Sequence, residues 1–455
     1  TVSHKAALSK STVPFAPLIF SVRHRTIDWT QAGFARMLIE NFITYVARKK
    51  NFRYLQFAPG PTLSVPRTAD TKPRMLYLHV PFCEELCPYC SFHRVVFQEG
   101  LARAYFEALR REIGMYSDIG YTFGAIYVGG GTPTILMDEL AETLSLVRGL
   151  FPIREISVET NPNHLYPENI DKLKAMGVNR LSVGVQSFDD ELLKASERYH
   201  KYGSGEEIVS RLRATQGKLD TLNVDMIFNF PMQTRATLER DLSILTELGA
   251  DQITYYPLMP SSYAAEAMRK RLGGSVDFRR EKGFYNLITD TLLSQYTPST
   301  AWCFSRSDAL IDEYVVNFDE YAGLGSGSIG YLGGSVYANT FDIGDYIARV
   351  NKGAFPLVGR KDSSLKEQLR YDFLMKLFGL ELDLEKLAAK FNVNVYQYLW
   401  SEIFFFRTVG GLHKNGQLLT LTRAGQYYWV IMMREFFIGV NNFRDFCRSA
   451  TYERS

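Results

Sequence analysis

Short apolar runs recur along the middle of the chain, at 75–80, 125–129, 155–159, 181–185, 223–228 and 252–257. Between them lie stretches with apolar positions three and four apart, at 101–116, 138–149, 189–197 and 235–248. The first pattern is that of buried strands and the second that of helices with one apolar face, so their alternation predicts βαβ units around a parallel sheet. Six units of one hand build a partial (β/α)6 barrel, with functional groups at the carboxyl ends of the strands. The flanks read differently. Trp29, Phe34, Met37, Leu38, Phe42 and Val46 predict an amphipathic helix that ends in the basic run Arg48, Lys49, Lys50. Docking on the barrel is one use of such a helix, and lying against a membrane surface is another. From 363 onward, helical stretches lead to a strand pair turning at Asn415 and Gly416, which predicts a small winged-helix-like α+β domain. The expected divisions are an N-terminal extension (1–71), the barrel (72–262), a substrate-covering extension (263–362) and the end domain (363–455).

Composition removes some functions. At 455 residues the chain buries a large core, which also accounts for its 14% aromatic content. The net charge is +3 with Lys and Arg dispersed, so nothing requires nucleic acid as a partner. The helices of the end domain mix acid and base instead of presenting a basic reading face, and a lid over the active site is expected of it. Five cysteines in so long a chain are not a disulfide framework. With no signal-peptide pattern and no run of eighteen apolar residues, the expected location is cytoplasmic, with peripheral contact at the inner face of the membrane as an option.

Three of those cysteines fall within LYLHVPFCEELCPYCSFHR (76–94), where Cys83, Cys87 and Cys90 follow the spacing C-x3-C-x2-C. The apolar run before them ends at Pro81, so the thiols sit on a loop at a strand end. A structural zinc site takes four protein ligands, and His93 offers a fourth. An iron–sulfur cluster held by three thiolates instead leaves one iron open to a small molecule. Cys303 and Cys447 are remote and read as buried free thiols. Gly129, Gly130 and Gly131, ahead of Thr132 and Pro133, either let the backbone approach a ligand or make a tight strand exit.

The cysteine spacing after a strand resembles the signature of radical S-adenosylmethionine (SAM) enzymes. YVGGGTPT (127–134), ISVETNP (156–162), RLSVGVQSF (180–188) and NVDMIFNFPMQT (223–234) resemble, in order and spacing, the group that includes oxygen-independent coproporphyrinogen oxidase. The likeness covers about residues 72 to 260. It implies a radical SAM barrel in which Cys83, Cys87 and Cys90 are the catalytic metal ligands of a [4Fe-4S] cluster and SAM occupies the open iron. It further implies that Gly130, Gly131 and Thr132 receive the methionyl part, with Glu159, Gln186 and Arg198 at its charged end. Asp225 would take the ribose hydroxyls and Tyr89 cover the adenine, while Tyr77 and His79 face either the cluster or the core. Such enzymes draw an electron from a low-potential donor, flavodoxin or ferredoxin, to cleave the sulfonium into methionine and a 5′-deoxyadenosyl radical.

AWCFSR (301–306), GLGSGS (323–328) and MMREFF (432–437) resemble the class C radical methyltransferases that modify menaquinone at C8. That likeness implies a second SAM beside the first, whose methyl group is added to an sp2 carbon. It also implies an aromatic slot walled by YYPLMP (255–260), Trp302 and Tyr321, with the GLGSGS turn folded over the substrate. Three rivals stand beside it. Coproporphyrinogen oxidase extends its cysteine run with a further cysteine that CSFHR lacks, and haem chaperones carry an HN-x-x-YW type motif absent here. Anaerobic haem-degrading methyltransferases are not separated from the quinone class by sequence.

Overall fold

The computed structural model describes residues 29–54, 57, 63–66, 72–306 and 318–452. The side chains of Trp29 and Phe34, and residues 312–317 ahead of the GLGSGS turn, lie outside the described residues. Helix α1 (Trp29–Tyr54) precedes six strands that pair in parallel, each with the next. These are β1 (Arg74–Val80), β2 (Phe123–Gly130), β3 (Glu155–Thr160), β4 (Arg180–Gln186), β5 (Thr221–Phe228) and β6 (Gln252–Pro257). Every apolar run read from the sequence falls inside one of them, because strands covered on both faces need apolar side chains at consecutive positions.

The crossovers carry α2 (Glu99–Asp118), α3 (Met137–Leu150), α4 (Pro167–Ala175), α5 (Gly205–Thr215) and α6 (Arg235–Leu248). On α2 the buried residues include Ala102, Tyr105, Phe106, Leu109, Ile113 and Tyr116, the three-and-four spacing that presses one face onto the sheet. Helix α6 begins with a capping box at Thr234 and stops at Gly249, whose left-handed φ of 66° a side chain would oppose. The strands and these helices make the α/β partial barrel.

The sheet continues past both ends of the six. Beyond β6 run two short strands, β7 (Thr297–Pro298) and β8 (Cys303–Ser305), with β8 antiparallel to β6. Beyond β1 come β9 (Tyr321–Leu324), parallel to β1, then the antiparallel β10 (Ile329–Leu332), β11 (Ser335–Asn339) and β12 (Leu357–Asp362). The GLGSGS turn differs here from its expected place over the substrate. Gly323 and Leu324 are strand residues paired with Tyr77 and Leu78, and a Cβ at Gly327 would strike the His93 ring. The backbone pairing of β9 with β1 draws the turn against the flank of the barrel.

Two helices, α7 (Ser262–Arg271) and α8 (Phe278–Leu292), leave the barrel, and four more follow the sheet: α9 (Leu365–Phe378), α10 (Leu384–Phe391), α11 (Val395–Thr408) and α12 (Arg423–Tyr452). Among them lies a small sheet of β13 (Glu381–Asp383), β14 (Leu412–Asn415) and β15 (Leu418–Leu421). The hairpin turns at Asn415 and Gly416 as expected, Gly416 taking φ 59°. Helix α12 is tied to the rest by buried charge: Arg434 pairs with Glu281 of α8, and Glu435 receives Arg48 Nε of α1 at 2.5 Å. Among the described residues no helix is long and apolar enough to cross a membrane.

Candidate active site

Strand β1 delivers the cysteine loop. Phe82 and Cys83 pair in parallel with Val95 and Val96, and Phe97 N donates to Cys83 O at 2.8 Å, which closes the loop at its base. Within the loop, Arg94 Nη2 donates to the carbonyls of Cys87 and Cys90, 2.6 Å each. This arginine shapes the path of the thiol-bearing backbone. Sequence reading passed over it, because a lone arginine near a cysteine run carries no spacing signal.

Against the loop lies the glycine run. A Cβ on Gly131 would stand 2.5 Å from Phe82 O and 3.0 Å from Cys83 Sγ, and one on Gly129 would meet the Glu159 carboxylate at 2.7 Å. Side chains are excluded where the backbone of β2 meets the thiols. Thr132 N donates to Phe82 O at 2.7 Å, while its hydroxyl faces Cys83 Sγ at 3.9 Å and receives Asn161 Nδ2 at 2.8 Å. Burial, then the neighbouring Cys90, pushes the Cys83 thiol up to about 11. A thiolate at that depth calls for the positive charge of a metal centre.

The carboxyl ends of the strands open on one cavity of about 780 Å³, toward the upper end of the roughly 300–1,000 Å³ usual for ligand sites. Cys83, Cys87, Cys90, Tyr77, Tyr89, Gly130, Gly131, Glu159, Gln186, Arg198 and Asp225 all line it. Of the residues expected around SAM, Thr132 alone is absent from that wall, since its hydroxyl is turned behind the Cys83 thiol. Glu159 accepts from Tyr127 Oη at 2.8 Å and Gly130 N at 2.9 Å. Asp225 accepts from Ser182 Oγ at 2.6 Å and Asn223 Nδ2 at 2.7 Å. Gln186 sits at φ 76°, a conformation unusual for a residue with a side chain and held here at the end of β4.

Arg198 is buried, donating to Gly184 O and, at 3.2 Å, to Tyr89 Oη, while its Nε meets no protein acceptor. Burial works against its charge, but Tyr89, Tyr202 and the Cys87 thiol outweigh it, so the pKa is raised and the guanidinium stays charged. A buried cation with an unmatched donor fits an anionic ligand group. Three thiols, an adjacent glycine-cleared strand end and that cation fit a cluster with the amino-acid end of SAM. On β1, His79 Nε2 donates to His93 O at 2.8 Å, leaving Nδ1 to accept from Tyr77 Oη at 2.9 Å. Burial lowers the His79 pKa to about 4, so the ring is neutral. His93 Nε2 is bonded to Ser326 Oγ at 3.1 Å, and among the described residues no three His, Cys, Asp or Glu side chains gather closely enough for a single ion. The Cys3His zinc set is not assembled.

Away from the thiols the wall is mostly apolar, with Lys50, Glu367, Arg370 and Glu402 as its charged members. Tyr256 to Met259, Trp302 and Tyr321 line it as expected, whereas Tyr255 is buried outside it. Sequence reading missed the far wall: Phe42 and Val46 of α1, Phe405 and Phe406 of α11, and Met432, Met433, Phe436 and Phe437 of α12. The end domain, expected as a lid, and the helices α1 and α12 line the far side of the cavity, with side chains that the sequence pattern did not assign to it.

Residues 77–245 match the Radical SAM superfamily. Those residues form a radical SAM domain, whose cofactors are a [4Fe-4S] cluster and S-adenosylmethionine. Over most of its length the chain is similar to haem chaperones and oxygen-independent coproporphyrinogen oxidases. It is 29% identical over 368 residues to the haem chaperone HemW of Bacillus subtilis (strain 168), covering 77% of this chain and 95% of that one. It is 27% identical over 395 residues to the oxygen-independent coproporphyrinogen III oxidase of Helicobacter pylori (strain ATCC 700392 / 26695), covering 80% and 86%. The solved structure of coproporphyrinogen III oxidase (HemN) from Escherichia coli, described as a radical SAM enzyme, superposes with a TM-score of 0.69 at 22% identity, covering 84% of this chain and 92% of that one.

Proposed function

We propose that this radical SAM enzyme transfers a SAM-derived methyl group to an sp2 carbon of a flat apolar substrate, menaquinone being the member of that class that fits best. The observation that carries the reading is the wall opposite the thiols. It is rich in Phe and Met side chains, and the cations on that wall, Lys50 and Arg370, both pair with Glu402, while Arg94 and Arg198, each with an Nε that meets no acceptor, stand at the thiol end. Arg444 donates to Asn441. A tetrapyrrole bearing several carboxylates would need such cations free, whereas a quinone ring with an apolar tail needs none.

When bound, the cluster and SAM supply one-electron cleavage of a sulfonium C–S bond, with the electron coming from a low-potential donor such as flavodoxin or ferredoxin. The chain's own residues orient and shield. Cys83, Cys87 and Cys90 would hold the cluster on three of its irons. Glu159 presents a carboxylate fixed by Tyr127 and Gly130, suited to an ammonium, and Arg198 presents its unmatched Nε to a carboxylate. Asp225, held by Ser182 and Asn223, suits ribose hydroxyls, and Tyr89 offers a ring face to adenine. Trp302, Phe436 and Phe437 keep water from the reacting carbon. A second SAM would share the cavity between Tyr256 and Tyr321.

A tetrapyrrole reading is favoured by the relatives' names, since those proteins are a haem chaperone and coproporphyrinogen oxidases. One anaerobic experiment separates the two. Reconstituted protein with reductant and SAM receives menaquinone, haem or coproporphyrinogen III in separate tubes, and 5′-deoxyadenosine, S-adenosylhomocysteine and product mass are followed. A gain of one methylene on menaquinone is expected. Turnover of a tetrapyrrole, with menaquinone unchanged, would overturn the proposal.

A further inference from the structure

Helices α1 and α11 meet through side chains: the rings of Phe42 and Phe405 are 5.5 Å apart, and Lys50 reaches Glu402 at 3.7 Å. Their outward faces are not polar. On α1, Met37 is 48% and Tyr45 61% exposed, with Leu38 between them, and on α11 Trp400 is 62% and Phe404 66% exposed. Single exposed apolar residues are ordinary, but a group of large side chains on two neighbouring helices is not. Two further observations bear on what covers them. The same helices supply Phe42, Val46, Lys50, Glu402 and Phe405 to the cavity, and Phe42 is itself 52% exposed, so the apolar wall runs out to this face. The rim is basic: Lys49, Lys366 and Arg407 are exposed, beside Arg48, which is paired with the buried Glu435.

We propose that this face docks on a lipid bilayer carrying anionic headgroups, and that an apolar substrate passes from the leaflet between α1 and α11 into the cavity. The inference rests on the reading of the substrate as apolar. Large apolar side chains, four of them aromatic, ringed by Lys and Arg match the acyl–headgroup boundary, where Trp and Tyr settle and basic residues meet anionic lipid. A protein partner would give no reason for the cavity wall to continue onto the docking face.

The test uses the full chain, anaerobically reconstituted, and vesicles of phosphatidylcholine with or without phosphatidylglycerol. The wild type is expected to float with the anionic vesicles, and in a Trp29→Phe background brominated lipid is expected to quench the fluorescence through Trp400, because Trp302 and Trp429 are fully buried. The double variant Trp400→Ser, Phe404→Ser, at two positions that do not line the cavity, should lose vesicle binding about tenfold or more. Its methylation of a short-chain quinone in detergent should remain at the wild-type rate. Equal flotation of variant and wild type, or unaltered quenching when Trp400→Phe is added to the Trp29→Phe background, would overturn the proposal. So would a dimer in light scattering that the double variant abolishes, or protection of the face by residues 1–28 in hydrogen exchange with no binding to vesicles. Failure of the quinone assay with intact vesicle binding would instead strike the reaction assignment.

Discussion

Gly129 and Gly131 stand two positions apart and would fail differently. A methyl on Gly131 meets the Phe82 carbonyl, which is backbone and cannot step aside, so Gly131→Ala should cost about 1–3 kcal/mol and impair cluster reconstitution. On Gly129 the obstacle is the end of the Glu159 side chain, which can swing away. Gly129→Ala should therefore leave the melting temperature within a few degrees of wild type while raising KM for SAM on the order of tenfold. Arg94→Ala should fold but bind iron poorly, since the carbonyls of Cys87 and Cys90 lose their shared donor. Iron content and the visible absorption of the reconstituted protein check it, with each of Cys83→Ala, Cys87→Ala and Cys90→Ala as the zero point. Of these residues the cysteines and glycines were legible from their spacing. Arg94 was not, because its role exists only once the loop has closed.

Helix α12 reaches from the small sheet back to the cysteine loop. Asn441 Nδ2 donates to Met259 O at 2.7 Å, Ser262 N donates to Asn442 Oδ1 at 2.8 Å, and Arg444 lies 5.0 Å from the Phe92 ring. Ending the chain after residue 438 should open the cavity at that side. The expected result is faster bleaching of the cluster in air with little change in helix content, checked by absorbance decay beside circular dichroism. Helix α2 holds a second joint. Its Glu112 is fully buried and accepts from Gly325 N at 2.9 Å, Tyr346 Oη at 2.7 Å and Asn339 Nδ2 at 3.0 Å. Burial raises its pKa from 4.5 to about 7 despite those donors. The folded state thus keeps the proton longer than the unfolded chain, so this residue's contribution to stability falls as pH rises from about 4.5 to 7 and is level above that. The loss is at most about 3 kcal/mol. Unfolding by denaturant at pH 5 and pH 8 should reveal this slope in the wild type and its absence in Glu112→Gln.

The molecule as a whole gathers elements from four parts of the chain around one cavity: the barrel strand ends, β9 and β10, α9 with α11, and the paired helices α1 and α12. Cofactor residues come from the barrel, and the apolar wall from the rest. Substrate choice should then be separable from SAM cleavage. Phe436→Ala with Phe437→Ala is expected to cut kcat/KM for a long-tailed quinone on the order of tenfold or more while 5′-deoxyadenosine still forms, now uncoupled from methylated product. A proportional fall in both products would mean that these rings serve the SAM end instead.

The six-strand alternation and the cysteine spacing were readable in one dimension because each is local: burial on both faces makes a strand apolar at successive positions, and a loop's ligands are set by a few bonds. The helix at 29–46 was readable as a helix. Its faces were not, for it is apolar on the side against α12, where Ile43 is buried, and again on the side holding Leu38 and Tyr45. Local pattern cannot say which distant element a face will meet. Joining α11 and α12 to the thiols across more than three hundred residues, laying β9 beside β1 and turning Thr132 behind Cys83 all depend on packing between segments remote in the chain, and only the folded molecule decides them.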